Sequence, residues 1–407
     1  MTNLINRQAY IDKIKPFIDT DVIKVLTGLR RSGKSTIMQL VQRYLVEEKQ
    51  INSARIIDIN FEKGEYRELQ NAEKFEAFII NQLDATDQQT TYLFFDEIQE
   101  VTGFETVLNS LRVSYNVDIF ITGSNARMLS SDLATYLAGR YITIPVFPLS
   151  FAEYVEGNVA TDRTPTLLFQ QYLERGGMPF TVQPALDETS RNRYLEDVFN
   201  SVVLKDITQR YEIRKSDLLE RLILYIYANV GRTFSANSIK KYLKNEQVDA
   251  STGMILNYLK YATDAFLLYP VKQYGIQGKK LLNINEKYYI SDHGMRNAIY
   301  GRNIPDIELI LENLVFLELL RNDYKVTIGR LADDTEIDFI GEKNGELVYI
   351  QVAYLLATPE TRTREFHSLK QIDDNFPKYV LTMDELLNSE AGIQHVNLRE
   401  FLLLNSL

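Results

Sequence analysis

Val22-Ile23-Lys24-Val25-Leu26-Thr27-Gly28-Leu29-Arg30-Arg31-Ser32-Gly33-Lys34-Ser35-Thr36 is the stretch on which the fold turns. Its first six residues are β-branched or apolar apart from one lysine, and read as a buried strand. Gly28 to Thr36 then matches, position by position, the loop that closes around phosphate groups, and Thr36 to Glu48 has a helical period. Gly28 and Gly33 permit backbone conformations that wrap successive amides, through Arg31 and Ser32, around an anion, and the helix start near Lys34 adds its positive end. Lys34 is the candidate bridge between β- and γ-phosphates, and Ser35 a candidate magnesium ligand, with Thr36 behind it. A glycine turn with an incidental lysine is the bland alternative. The position directly after a strand argues against it.

A phosphate loop of this kind needs a carboxylate at the tip of a neighbouring strand, and Tyr92-Leu93-Phe94-Phe95-Asp96-Glu97 supplies two in tandem. Asp96 is the candidate magnesium holder and Glu97 the general base that orients and deprotonates an attacking water. Asp118-Ile119-Phe120-Ile121-Thr122-Gly123-Ser124-Asn125 is another apolar run ending in small polar residues. Asn125 or Ser124 is placed to sense a γ-phosphate, with a plain turn as the rival. Arg140 precedes a fifth apolar run; it either neutralises transition-state charge in a neighbouring subunit or makes a surface ion pair.

Around these motifs the chain alternates strands with helices, the mark of a parallel sheet covered on both faces. The strands are read as Val22 to Thr27, Arg55 to Phe61, Tyr92 to Asp96, Asp118 to Thr122 and Tyr141 to Val146. Helices fall at Thr36 to Glu48, Ala72 to Leu83, Phe104 to Tyr115 and Ala126 to Leu137. After Pro145 and Pro148 the pattern becomes purely helical, broken by Arg175-Gly176-Gly177-Met178-Pro179. From Ser216 three short helices precede two extended runs, which suggests a winged helix, and the remainder opens with a helix and continues in strands. The expected domains are a core over 1–149, a helical lid over 150–215, a winged-helix-like domain over 216–301 and a small α/β domain over 302–407.

Composition narrows the chemistry. Among 407 residues there is no cysteine and only three histidines, which excludes disulfides and thiolate zinc sites and leaves hard, oxygen-bound metals. No uncharged apolar stretch approaches the roughly 20 residues that span a bilayer, and the N-terminus lacks the core of a secretory signal, so a cytoplasmic protein without membrane contact is expected. A net charge of −10 disfavours a surface that grips nucleic acid throughout, though a local basic patch remains open.

Taken together, RRSGKST from Arg30, INFE from Ile59, FFDEIQ from Phe94, ITGSNA from Ile121, LAGR from Leu137, PLSFAEY from Pro148, RGGMP from Arg175 and KYYISDHGMRNA from Lys287 resemble the prokaryotic AAA-superfamily ATP-binding proteins that carry a C-terminal domain of unknown function. The resemblance runs end to end. It implies an α/β P-loop AAA-type core, a helical lid, a winged helix and a restriction-endonuclease-like α/β domain, with ATP and Mg2+ as cofactors. It also implies that Gly177 and Pro179 lie beside the adenine. In the last domain it implies a magnesium site built from a helix glutamate (Glu312 or Glu318), the strand aspartate Asp338 and a Glu-x-Lys pair. The chain departs from that pattern: the third element reads Tyr349-Ile350-Gln351-Val352-Ala353, an amide and a methyl where a carboxylate and a lysine belong. An inactive scaffold is therefore expected there.

The expected function is magnesium-dependent ATP binding and hydrolysis by a switch acting on an unidentified protein partner, as a homo-oligomer if Arg140 works in trans. The alternative is a nucleotide-regulated DNA-binding component of a defence, mobile-element or repair system. There Lys240, Lys241 and Lys244, with Lys279 and Lys280, would touch phosphates. A nucleotide-gated nuclease is a third reading.

Overall fold

A computed structural model describes residues 4–83, 88–126, 137, 139–158, 163–183, 186–276, 280–301 and 304–404. The chain divides into two compact units, residues 1–147 with 264–266, and residues 148–263 with 267–407.

In the first unit, strands β1 (Ile23–Thr27), β2 (Ile56–Asn60), β3 (Thr91–Asp96), β4 (Val117–Gly123) and β5 (Tyr141–Pro145) form one sheet in the order β2-β3-β4-β1-β5. Every pairing is parallel. Helices α1 (Gln8–Ile14), α2 (Lys34–Glu47), α3 (Ala72–Ile80) and α4 (Phe104–Ser114) accompany it. Successive strand side chains point to opposite faces, and the two faces carry separate cores. Ile23, Val25, Leu93, Phe95, Ile119 and Ile121 pack with Phe75, Leu108 and Leu111. Leu26, Tyr92, Phe94, Phe120 and Ile144 pack with Ile37, Val41 and Leu45. This double burial is why the strands read as unbroken apolar runs. Lys24 and Asp118 are polar exceptions, both buried and ion-paired with each other, and the other carboxylate oxygen of Asp118 accepts the Asp19 amide at 2.8 Å. The helix expected over Ala126 to Leu137 lies, apart from its two ends, outside the described residues.

The second unit begins with helices α5 (Phe151–Glu156), α6 (Pro165–Arg175) and α7 (Glu188–Ser201), the last running on into a π-helix at Val202–Gln209. Then come α8 (Ser216–Ala228), β6 (Thr233–Phe234), α9 (Ala236–Asn245), α10 (Thr252–Asp264) and a hairpin of β7 (Leu268–Gly275) and β8 (Lys280–Ile290). Helices α11 (His293–Tyr300) and α12 (Ile307–Arg321) lead to β9 (Lys325–Arg330), β10 (Glu336–Lys343) and β11 (Glu346–Val352). The chain closes with α13 (Pro359–Lys370), β12 (Lys378–Thr382), β13 (Ile393–Asn397) and α14 (Leu398–Leu404). The strands of 216–301 and of 302–407 share a single eight-stranded sheet, β13-β12-β11-β10-β9-β7-β8-β6, joined where β7 runs parallel to β9 from Gln273↔Ile328 to Gly275↔Arg330. Helix α12 is buried on nearly every side, and Phe316 stacks on Tyr289 with centroids 4.3 Å apart. Apolar side chains over most of its circumference place this helix in the core, with Glu312, Asn313 and Glu318 as polar exceptions.

Candidate functional site

The register of the parallel sheet decides which residues meet. Thr27 is level with Gly123, and Asn60 with Asp96, so the residues following β1, β3 and β4 emerge along one edge. Gly28 leaves β1 with φ +153°, and a Cβ there would stand 2.1 Å from the Val146 carbonyl oxygen. Gly33 at φ +101° caps α2 in the left-handed region, and Arg31 also has positive φ. These conformations curl the loop back over the start of α2. Ser32 is buried, while Arg31 and Ser35 face solvent.

Lys34 is 3% exposed, and its Nζ donates to the Gly28 and Leu29 carbonyls at 3.1 and 3.2 Å. It lies 3.7 Å from Glu97 Oε1. Asp96 is buried; its Oδ1 accepts from Thr122 Oγ1 at 2.5 Å, its Oδ2 from Asn60 Nδ2 at 2.7 Å, and Ser35 also hydrogen-bonds it. Burial pushes the Asp96 carboxyl above its ordinary value; the Thr122 and Ser35 hydrogen bonds pull the other way without reversing it. Glu97 is in the left-handed region at φ +54°, its amide donating to Thr122 Oγ1 at 2.8 Å. Burial raises its carboxyl too, but the Lys34 ammonium, the Gln99 amide and Arg30 outweigh burial and hold it below the usual value.

Lys34, Ser35, Asp96 and Glu97 therefore converge, Ser35 through its hydrogen bond to Asp96 and Lys34 through its ion pair with Glu97. Ser124 and Asn125 follow β4 at the same edge and are buried. Arg140 is not brought there. It is exposed, and its carbonyl accepts from Ile23 at the start of β1, a strand length of roughly 15 Å from the loop. Asn60, inside the INFE stretch, and Thr122, inside ITGSNA, also belong to the site; only the pairing of strands shows that both meet Asp96. Among the described residues no three His, Asp or Glu side chains gather as a metal cluster.

This loop and paired-acid geometry coincides with a match to an AAA domain over residues 20–155, followed by a match to a domain of unknown function over 166–306. An uncharacterized protein of Haemophilus influenzae is 40% identical over 403 residues, spanning 98% of this chain and 99% of the relative. The chain belongs to this prokaryotic family of AAA-superfamily P-loop ATPases. A second member, an uncharacterized protein of Methanocaldococcus jannaschii, is 30% identical over 354 residues, 82% of this chain and 75% of its own. A Walker-type ATPase of Pyrococcus abyssi is structurally similar at 16% identity and a TM-score of 0.49, covering 73% of this chain and 96% of that one. Among the described residues no helix is long and apolar enough to cross a membrane.

Two of the family's marks prove to be halves of one feature in the second unit. A Cβ on Gly176 would stand 2.7 Å from Gly294 Cα, and one on Gly294 would stand 2.3 Å from the Arg175 carbonyl oxygen. Asp292 caps α11 through the Met295 amide at 2.9 Å and accepts the Gly177 amide at 2.7 Å. The Gly177 carbonyl in turn accepts from Leu149 at 2.6 Å, and His293 Nε2 meets the Tyr172 carbonyl at 2.7 Å. Gly177 is thus a backbone clasp between the RGGMP turn and the segment from Ser291, and Pro179 opens the short 3-10 turn that follows.

The carboxylates of the last domain are also gathered, and a lysine arrives that the local sequence lacks. Lys287 of β8, 4% exposed, reaches Glu312 at 2.9 Å and Glu336 at 2.6 Å, and the Tyr289 hydroxyl donates to Glu312 at 2.6 Å. Asp338 accepts the Val352 amide at 2.8 Å, while its own amide donates to Gln351 Oε1 at 2.9 Å. Gln351 Nε2 donates to the buried Glu365 at 3.2 Å. Glu318 stands apart, bonded to Arg321 at 3.1 Å. Burial would lower the Lys287 ammonium, but Glu312, Asp338 and Glu336 hold it above its ordinary range.

Proposed function

We propose that the protein binds ATP with magnesium at Gly28–Thr36 and hydrolyses it, and that the nucleotide state acts as a switch on a protein partner. The observation that carries the reading is the convergence of Lys34, Ser35, Asp96 and Glu97 at one edge of the sheet. The loop amides and the start of α2 hold phosphate oxygens. Ser35 and Asp96 hold the metal, which supplies charge neutralisation for phosphoryl transfer. Lys34 rests on two neutral carbonyls and Glu97, acceptors that a phosphate outcompetes. Once Lys34 turns to phosphate, Glu97 loses the strongest charge holding it ionised, and its basicity rises as the attacking water needs a proton acceptor. Ser124 and Asn125, buried behind the end of β4, are the groups to register a γ-phosphate. Arg140, exposed at the other end of the strands, contributes only by entering the site of a second copy.

The lysine-neutralised cluster at Glu312 and Asp338 favours a scaffold over a nuclease, because an internal ammonium satisfies the charge that a cation would balance. Lys240, Lys241 and Lys244 are exposed together on α9, which keeps DNA as a second reading for the partner. ATP turnover with magnesium, measured beside Lys34→Ala and Glu97→Gln, tests the assignment. Both variants lose roughly a hundredfold or more in rate. A wild type that neither binds nor hydrolyses ATP, with or without DNA, refutes it.

A further inference from the structure

Arg7 stands outside every motif, yet it is among the largest fully buried side chains of the protein. A guanidinium taken out of water needs acceptors. Its Nη1 donates to the Ser32 carbonyl at 2.9 Å and its Nη2 to the Phe147 carbonyl at 2.8 Å. The Tyr10 ring lies 4.4 Å from its Cζ, and the Tyr10 hydroxyl accepts the Phe147 amide at 3.1 Å. One rigid, planar fork thus holds two carbonyls from distant parts of the chain.

The consequence follows from peptide geometry. In a trans peptide the carbonyl of one residue and the amide of the next point in opposite directions, and the described chain has no cis peptide. Anchoring the Ser32 oxygen on Arg7 therefore aims the Gly33 N–H away from Arg7. Gly33 is the N-cap of α2, where an anion meets the helix, and as a glycine it is the loop residue freest to swing. The same guanidinium holds Phe147, next to Val146, whose amide donates to Thr27 at 2.6 Å and whose carbonyl crowds Gly28. Loop and strand exit are tied at three points.

We propose that Arg7 is a positioning residue for nucleotide binding: it aims the Gly33 amide at the phosphates and so sets affinity for them without touching the nucleotide. This rests on the reading of Gly28–Thr36 as the nucleotide site. If Arg7 served only to fill the core, its loss would lower stability and leave the affinity of the folded protein alone.

The test uses the full chain with Arg7→Met and Arg7→Lys. Thermal unfolding without nucleotide is measured alongside titration with a fluorescent ATP analogue, with inorganic tripolyphosphate as competitor, and with steady-state ATPase kinetics. Affinity for both ligands falls roughly tenfold in Arg7→Met, the worth of one misdirected charge-assisted contact. KM rises while kcat stays within about threefold of wild type. Arg7→Lys recovers part of the affinity, because an ammonium reaches either carbonyl but cannot fix both. Should Arg7→Met fail to fold, Arg7→Lys carries the test alone. Unchanged affinity in either folded variant overturns the proposal. A wild type whose ATP binding is indifferent to Lys34→Ala overturns the nucleotide site itself, and this proposal with it.

Discussion

Replacing Lys287 by methionine removes the ammonium from the acidic cluster while keeping a long, flexible apolar stem, so the loss is chiefly of charge. The lysine side chain is 5% exposed between Glu312, 14% exposed, and Glu336, 26% exposed. Removing one partner of a buried pair costs about 3–5 kcal/mol. Glu336 regains some water, which puts the expected loss near the lower end, about 3 kcal/mol. At about 2–4 °C per kcal/mol for a unit of this size, the midpoint of the second unit falls by roughly 6–12 °C. The pH dependence has a definite sign. Asp338 already titrates well above its ordinary value through burial and Glu312, with Lys287 opposing them. Without Lys287 the folded-state value of Asp338 rises further, so the folded state takes up a proton that the unfolded state does not. The deficit therefore shrinks as pH falls toward the ordinary carboxylate value of about 4. Calorimetry of wild type, Lys287→Met, Glu312→Gln and the double variant measures the coupling directly, and the double variant recovers part of the loss. A midpoint within about 2 °C of wild type, or a deficit independent of pH, refutes an internal ammonium as what holds this cluster.

Gly28→Ala forces a left-handed φ and drives a methyl into the Val146 carbonyl, so it abolishes ATP binding and costs at least about 2 kcal/mol of stability in the first unit, read by urea titration. Asp96→Asn relieves a burial penalty, so its nucleotide-free midpoint rises rather than falls, while magnesium's enhancement of ATP affinity drops about tenfold or more. For wild type the raised Asp96 value means that nucleotide-free stability declines as pH climbs above the ordinary carboxylate value of about 4. Magnesium and ATP favour the ionised form, so their stabilisation grows across the same window. Asp96→Asn flattens that growth, as thermal shift against pH will register.

The parallel core was legible because each of its elements is a local pattern. A strand buried on both faces must be apolar throughout, a phosphate loop must have glycine where a Cβ would collide, and an acid pair must close a neighbouring strand. Glu97 was legible for the same reason, standing next to Asp96. Asn60 and Thr122 were not, because each lies on a strand whose pairing with β3 alone brings its side chain to Asp96. Arg7 was hidden by distance along the chain: nothing near Met1 announces a contact with Phe147.

In the second unit the division is sharper. The helix-only run and the extended pairs follow from periodicity, and the missing Glu-x-Lys from reading Gln351 and Ala353. That a lysine nevertheless reaches Glu312 depends on β7 lying beside β9, which draws β8 and Lys287 into the same sheet as Asp338. The RGGMP and DHG segments look like separate turns until Gly176 and Gly294 are packed backbone to backbone. The sequence by itself determined which residues bear charge, which must be buried and where the backbone must bend, since these are properties of single residues and their neighbours. Only the tertiary structure decided which distant charges neutralise one another, because strand order and register choose the partners and a one-residue slip would face every side chain the other way.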